Sequence, residues 1–448
     1  MAKQIIDMAS HFSSTQLLKF CAPSILMMIL TSIYTVVDGF FVSNFAGKTA
    51  FAAVNFIMPI IMILSSVGFM VGTGGSAIVS ATRGAGKPQR ANEYFSLLIY
   101  ATIISSIILT IVGIATAQPL CALLGAEGQM LEDCVLYGSL VYLSLTGFTL
   151  QCAFQSFLVA AGKPKVGLYV ILAASLTNII LDILLVGVLG FGLVGAAVAT
   201  NISEFAGGLI PLFYFAWKKN TSFFKLGRAP FNGQVLLRTA INGSSEMVTN
   251  IAVSIVSAVY NIQLLSMLGE NGVAAYGVIM YVFMVFAAVF TGYNMGFSPL
   301  LSYQYGAGNK TEIRSILKKS LGIVAAFCVC MAISAQLLAR PMALLFCGYD
   351  QELAALTEHA FRLFYLGILV CGFNIFASAF FTALENGKVS AFLSFSRTLV
   401  LETGCVLVIP HFLGIDGIWY AYLIAEVLSL TLTVGFMKHF APRYGYGK

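Results

Sequence analysis

Long apolar runs alternate with short polar breaks along the whole chain. Runs interrupted by glycine, proline or charge fall at roughly 17–41, 51–78, 95–118, 131–160, 166–188 and 192–217. A second six follow at roughly 238–265, 273–300, 317–338, 356–383, 389–410 and 416–437. A helix needs about 20 apolar residues to cross the hydrocarbon core of a bilayer, and every run is of that order. The pattern predicts an all-α polytopic membrane protein with twelve transmembrane helices.

Composition sharpens this. Of 448 residues, 59% are hydrophobic and 9% charged, with a mean hydropathy of +0.92; a soluble domain carries about a quarter charged residues. About 264 apolar residues are material for about twelve crossings. A water-soluble enzyme, a nucleic-acid binder and a disordered scaffold are excluded, and the partners expected are the lipid bilayer and small-molecule substrates. The nine cysteines form no C-x-x-C pair and sit mostly in apolar runs, which reads as small buried hydrophobes. The four histidines are scattered, and no zinc spacing occurs, so no cofactor is expected. Met1 to Thr15 is polar or mixed, unlike a signal peptide.

The net charge of +6 is mostly topological signal. If the N-terminus is inside, twenty Lys and Arg fall in inner segments, from Lys3 through Arg83, Lys87 and Arg90, the Lys218–Arg238 stretch, and on to Lys448; the outer loops hold only Lys48 and Arg340. Cytoplasmic loops retain positive charge during insertion, so both termini are expected in the cytoplasm, at the cell membrane.

An internal repeat at an offset of 222 residues organises the spans. Gly84-Ala85-Gly86-Lys87 answers Gly306-Ala307-Gly308-Asn309, Gly47 answers Gly269, Gly192 and Gly195 answer Gly414 and Gly417, and Glu204 answers Glu426. Six spans per repeat is even, so both halves enter the membrane in the same sense, related by a pseudo-twofold axis along its normal. The expected organisation is an N-lobe at 1–217, a cytoplasmic linker at 218–237 and a C-lobe at 238–448, two six-helix bundles around a central cleft.

Acids inside spans need a reason, because each costs about 2.5–3.5 kcal/mol at bilayer depth. They are Asp38, Asp182, Glu204, Glu246, Glu402 and Glu426. Asp38, Asp182 and Thr200 reach a similar depth in the outer half, and Asn178 lies four residues before Asp182, on the same helix face. Ala196, Thr200 and Glu204 also follow at steps of four, offering a carbonyl, a hydroxyl and a carboxylate on one stripe. Such oxygens suit sodium, and a carboxylate in a low-dielectric place also suits a proton; helix–helix hydrogen bonding is the structural alternative. At the offset Asp38 meets Tyr260 and Thr200 meets Tyr422, so the cluster belongs to the N-lobe alone. Glu204 and Glu426 fit a hinge or a transport role equally. Glu246 lies near the Tyr276, Met280, Tyr281, Phe283, Met284 run, an adaptable, cation-attracting surface suited to lipophilic cations, with ordinary packing as the alternative. Arg397 and Glu402 are five apart and suit a structural ion pair, with each other or with other helices.

Taken together, these features resemble the multidrug and toxic compound extrusion (MATE) family over essentially the whole chain. The resemblance rests on Pro23 followed by Val37-Asp38-Gly39-Phe40-Phe41-Val42, on Gly84-Ala85-Gly86 and Ser302-Tyr303-Gln304-Tyr305-Gly306-Ala307, on Asn178-x-x-x-Asp182, and on Gly195-Ala196-Ala197-Val198-Ala199-Thr200. It implies a secondary antiporter that exports organic, lipophilic cations in exchange for sodium or protons by rocking-type alternating access, working as a monomer and not as an enzyme. Asp38, Asn178, Asp182 and Thr200 would be its cation site, with the Ala196 carbonyl as a further ligand, and Glu246, Tyr276, Met280 and Met284 would line the substrate cavity. The span-ten aspartate of some members is absent; Asn374 stands in that stretch. The rival reading is a lipid-linked precursor flippase of the same superfamily, whose cavities tend to carry several basic residues; here the spans supply only Arg397 and the boundary residue Arg362.

Overall fold

The computed structural model describes residues 8–41, 48–123, 126–217 and 219–447. Lys3, Val42, Gly47, Lys218 and Lys448 lie outside the described residues.

Span one is Ser14–Phe41. Span two joins Lys48–Met70, a π-helical Val71–Gly75 and Ser76–Gly84. Span three is Pro88–Leu123, and span four is a pair, Gly128–Leu143 and Leu145–Ala160, meeting at 55°. Span five runs from Pro164 to Leu181 and continues as a π-helix, Asp182–Val188; span six is Gly192–Ala216. The 74 residues of Gly233–Gly306 would make a rod of about 110 Å if unbroken. Gly269, at φ 62°, breaks it into spans seven and eight. Spans nine to twelve are Lys310–Cys347, Gln351–Ala383, Gly387–Leu413 and Ile415–Tyr444. With the bent pair taken as one crossing and the broken helix as two, the apolar helices make the twelve crossings that the hydropathy pattern predicts. Ile104, Ile108 and Ile111 on span three are among the exposed apolar side chains, facing outward where lipid replaces water as solvent.

The repeat is legible in backbone conformation. Gly86 and Gly308 take φ of 75° and 70°, and Gly192 and Gly414 take 52° and 62°, so the paired glycines mark left-handed turns that side chains resist. It also builds the seam between the two bundles. A Cβ on Gly84 would meet the Tyr303 carbonyl at 2.0 Å, and one on Gly306 would meet the Ala81 carbonyl at 1.9 Å. These are one contact made twice, since 81 and 303 differ by the same 222 as 84 and 306. Gly74 against Gly243 and Gly296 against Cys21 form a second reciprocal pair. Self-complementary contact of this kind is what a twofold axis produces.

An even number of crossings puts both chain ends on one face, the terminal face, and these glycine contacts lie in the half of the bundle nearer to it. There the Glu312 carboxylate accepts from Phe12 N at 3.3 Å and lies 2.7 Å from His11 Nδ1, while Lys319 bonds the Phe12 carbonyl. The Arg83 guanidinium stacks 3.3 Å over the Phe223 ring of the connecting segment. Arg238 pairs with Glu385, whose carboxyl burial raises above the usual range and Arg238 partly pulls back.

Candidate functional site

Two polar regions lie inside the helical core. The first belongs to spans one, five and six. Asn178 and Asp182 are fully buried and Asp38 and Thr200 nearly so. Asp182 opens the π-helical stretch of span five, a winding that frees backbone groups from the regular ladder and often marks functional positions. The Asp38 carboxyl faces both Asp182 and Asn178, and the Tyr137 hydroxyl stands beside Thr200. Even so, Asp38 Oδ1, both oxygens of Asp182, both amide atoms of Asn178, Thr200 Oγ1 and Tyr137 Oη have no hydrogen-bond partner. Buried polar atoms cost about 1–3 kcal/mol each when left so. Two carboxylates in contact, an amide oxygen and two hydroxyls make a hard-oxygen donor set, the kind of group that suits a small cation or a proton. Ala196, fully buried one turn before Thr200, sits inside a regular helix, so its carbonyl has one lone pair left to offer. Tyr137 is the member that sequence reasoning missed; it lies on span four, with no periodic tie to the acids.

Glu204 stands apart from that set. Its Oε2 is 2.5 Å from the Ser144 hydroxyl, which is also 2.6 Å from Asn201 Oδ1.

The second region is a cavity of about 240 Å³ walled mainly by spans seven, eight, ten, eleven and twelve, with Phe69, Thr73 and Ser76 of span two and Ser156 of span four completing it. Glu246, Tyr276 and Met280 line it. Met284 is not on that wall: the lining stripe of span eight passes through Phe283, Ala287 and Thr291, and the Met284 backbone carbonyl lies 3.5 Å from the Ser32 hydroxyl of span one. Phe283, Phe364 and Tyr422 supply aromatic walls, with Phe364 and Tyr422 stacked at 4.6 Å.

Arg397 takes a distant partner. Its Nε donates to Glu426 Oε1 at 2.8 Å, and Asn374 Nδ2 donates to Glu426 Oε2 at 2.7 Å and to the Glu426 carbonyl at 2.9 Å. Thr433 in turn donates to Asn374 Oδ1 at 2.8 Å. Asn374 is thus committed to holding Glu426. Glu402, also on the cavity wall, pairs with no residue among those described. The π-helical winding of Ser396–Glu402 brings Arg397 and Glu402 to the same side of span eleven, and both line the cavity. The first bundle therefore holds oxygens without partners, and the second holds a cavity lined by Glu246 and Glu402, with Glu426 paired to Arg397 behind its wall.

Two bundles related by a twofold axis, with buried acids at their core, define a membrane transporter. The MatE family model matches residues 23–184 and 246–405, and the chain belongs to that family. Multidrug export protein MepA of Staphylococcus haemolyticus is 23% identical over 419 residues, covering 93% of this chain and 92% of its own. MepA of Staphylococcus aureus MRSA252 is 24% identical over 415 residues, covering 92% and 90%. A MATE crystal structure in complex with MaL6 superposes at a TM-score of 0.93 with 20% identity, over 99% of this chain and 100% of that one.

Proposed function

We propose that this chain exports lipophilic organic cations through the cavity of the second bundle, driven by a cation that enters the first bundle at Asp38, Asn178, Asp182 and Thr200. The observation that carries the reading is the set of buried oxygens there with no partner in the protein. Sodium or a proton is the coupling ion, and the Ala196 carbonyl is a further ligand for sodium. Substrate is held by Glu246 and Glu402 against aromatic and methionine walls, where carboxylate charge and ring faces both favour a cation. The likeness to MepA over nine-tenths of both chains supports multidrug export.

The moving lobes are residues 1–217 and 238–448, joined by 218–237, with both termini cytoplasmic and one chain as the working unit. The reciprocal glycine seam closes the terminal face. Rocking about the axis would part Gly84 from Tyr303 and Gly306 from Ala81 together. Ion binding acts by favouring the state with lower drug affinity, and needs no direct contact with the drug. Among the described residues Arg397 is the one guanidinium on the cavity wall and is taken by Glu426, which speaks against a phosphate-bearing, lipid-linked substrate.

The test is dye efflux from proteoliposomes under an imposed sodium gradient, then an imposed pH gradient. One of the two is expected to drive efflux, and Asp38→Asn to abolish it with expression intact. Undiminished transport by Asp38→Asn would refute the ion site; no efflux under either gradient would refute the export reading.

A further inference from the structure

Residues 8–13, ahead of span one, are bound to the second lobe, and the export scheme above gives them no part. Span one starts after them in a capping box: Gln16 N donates to Ser13 Oγ at 3.2 Å, and Ser13 N donates to Gln16 Oε1 at 2.9 Å. The leader is thus a separate, non-helical piece joined to the first lobe at Ser13. Met8 and Phe12 anchor it, buried in one apolar cluster with Leu301, Ile313 and Ile316 of the second lobe. Its backbone is held too. Phe12 N donates to Glu312 Oε1 of span nine at 3.3 Å, and the Phe12 carbonyl accepts from Lys319. His11 lies between the same two side chains, Nδ1 2.7 Å from Glu312 Oε2 and Nε2 3.0 Å from Lys319 Nζ. The Met8 carbonyl accepts from Gln304 Nε2 at 2.7 Å. Asn309 joins these grips, donating from Nδ2 to Gln304 Oε1 at 3.0 Å and accepting from Glu312 N at 3.1 Å. Glu312 is only 6% exposed, and each of its oxygens faces the leader.

The first lobe is strapped at the corresponding place, since 92–100 of span three map onto 314–322 of span nine at the offset of 222. There the linker supplies the strap: Asn92 Oδ1 accepts from Lys225 N at 2.7 Å, and Tyr100 Oη donates to the Gly227 carbonyl at 3.2 Å. The linker is covalently continuous with both lobes and remains attached however they tilt. The leader meets the second lobe through noncovalent contacts. Its polar ones are replaced by water once the face opens, an exchange of small net cost.

We propose that residues 8–13 are a clasp that ties the first lobe to span nine, holds the terminal face shut, and lets go of Gln304, Glu312 and Lys319 when the lobes part. The clasp rests on the rocking motion proposed above. Its seat adjoins the glycine seam, with Gln304 two positions before Gly306. Contacts made in the closed state alone weight the population toward it, so loosening them favours the open seam.

Cys21 is a native reporter of the seam: it is fully buried, and a Cβ on Gly296 would meet its Sγ at 2.7 Å. The full chain in liposomes is treated with N-ethylmaleimide, and the labelling of each cysteine is timed by peptide mass spectrometry. Glu312→Ala, which removes the acceptor for Phe12 N and the partner of His11, is expected to speed Cys21 labelling about tenfold, a shift of about 1.4 kcal/mol toward the open seam. Cys121 and Cys371, buried inside the first and second bundles, should keep the parent rate. Lys319→Met serves if Glu312→Ala fails to fold. Parent-rate labelling of Cys21 in a folded variant, or equal quickening at Cys121 and Cys371, would overturn the clasp. Absence of dye efflux in the separate assay would refute the export reading instead, because Cys21 labelling needs no substrate and no gradient.

Discussion

The two bundles bury acids in lipid by opposite means. In the second, Glu426 has both oxygens satisfied, by Arg397 and Asn374, and Thr433 holds Asn374 in place. In the first, Asp38 faces Asp182 and Asn178, and both Asp182 oxygens and Asp38 Oδ1 have no hydrogen-bond partner. A buried ion pair supplies its own counter-charge and needs nothing from solution. A cluster of bare oxygens is complete only when something small and positive arrives. One carboxylate has its counter-charge built into the chain, the other pair has none, and that is the physical difference between the two bundles.

Several variants would break or sharpen that contrast. The largest effect is expected from Arg397→Met, which strands Glu426 without its guanidinium; removing one partner of a buried pair costs about 3–5 kcal/mol. Thermal unfolding in detergent should show the loss, and Arg397→Met combined with Glu426→Leu should recover most of it. Next in size is the response to the coupling ion: at about a hundred times its dissociation constant a ligand stabilises the folded chain by about 2.7 kcal/mol. If sodium is that ion, titration in potassium buffer should raise the melting temperature of the parent and of Glu246→Gln alike, and leave Asp182→Asn unmoved. A sodium response that survives Asp182→Asn would place the ion elsewhere. Glu246→Gln should weaken binding of a lipophilic monocation about tenfold, a loss of about 1.4 kcal/mol, read by fluorescence titration. The smallest effect is expected from Thr200→Ala, which removes one neutral oxygen: about 1 kcal/mol, or roughly a fivefold rise in the ion concentration for half-maximal efflux. No change in ion dependence there would take Thr200 out of the site.

Much of this was legible along the chain. Hydropathy marks all twelve crossings, because only helices of about 20 apolar residues satisfy their backbone inside lipid. The glycine repeat marks both the left-handed turns and the seam, since a residue without a Cβ is required in each and both recur at one offset. Asn178 and Asp182 are readable as neighbours because four residues make about one turn. The partner of Arg397 was not readable in this way. Glu402 is five positions off, Glu426 is on another span, and the choice depends on π-helical winding and on how spans eleven and twelve pack. Met284 failed for a related reason: spacing places it near Met280, but the lining stripe drifts through Phe283 as the helix crosses its neighbours. Tyr137, on a bent span, carries no sequence signal for its place beside Thr200.

By itself, then, the sequence determined the number of crossings, the pairing of the two halves and the identity of the acids, because solvent and backbone impose those through local rules. Tertiary structure alone decided which acids are neutralised from within and which are left bare. That depends on distances of a few ångströms between side chains on different helices, and local periodicity does not fix them.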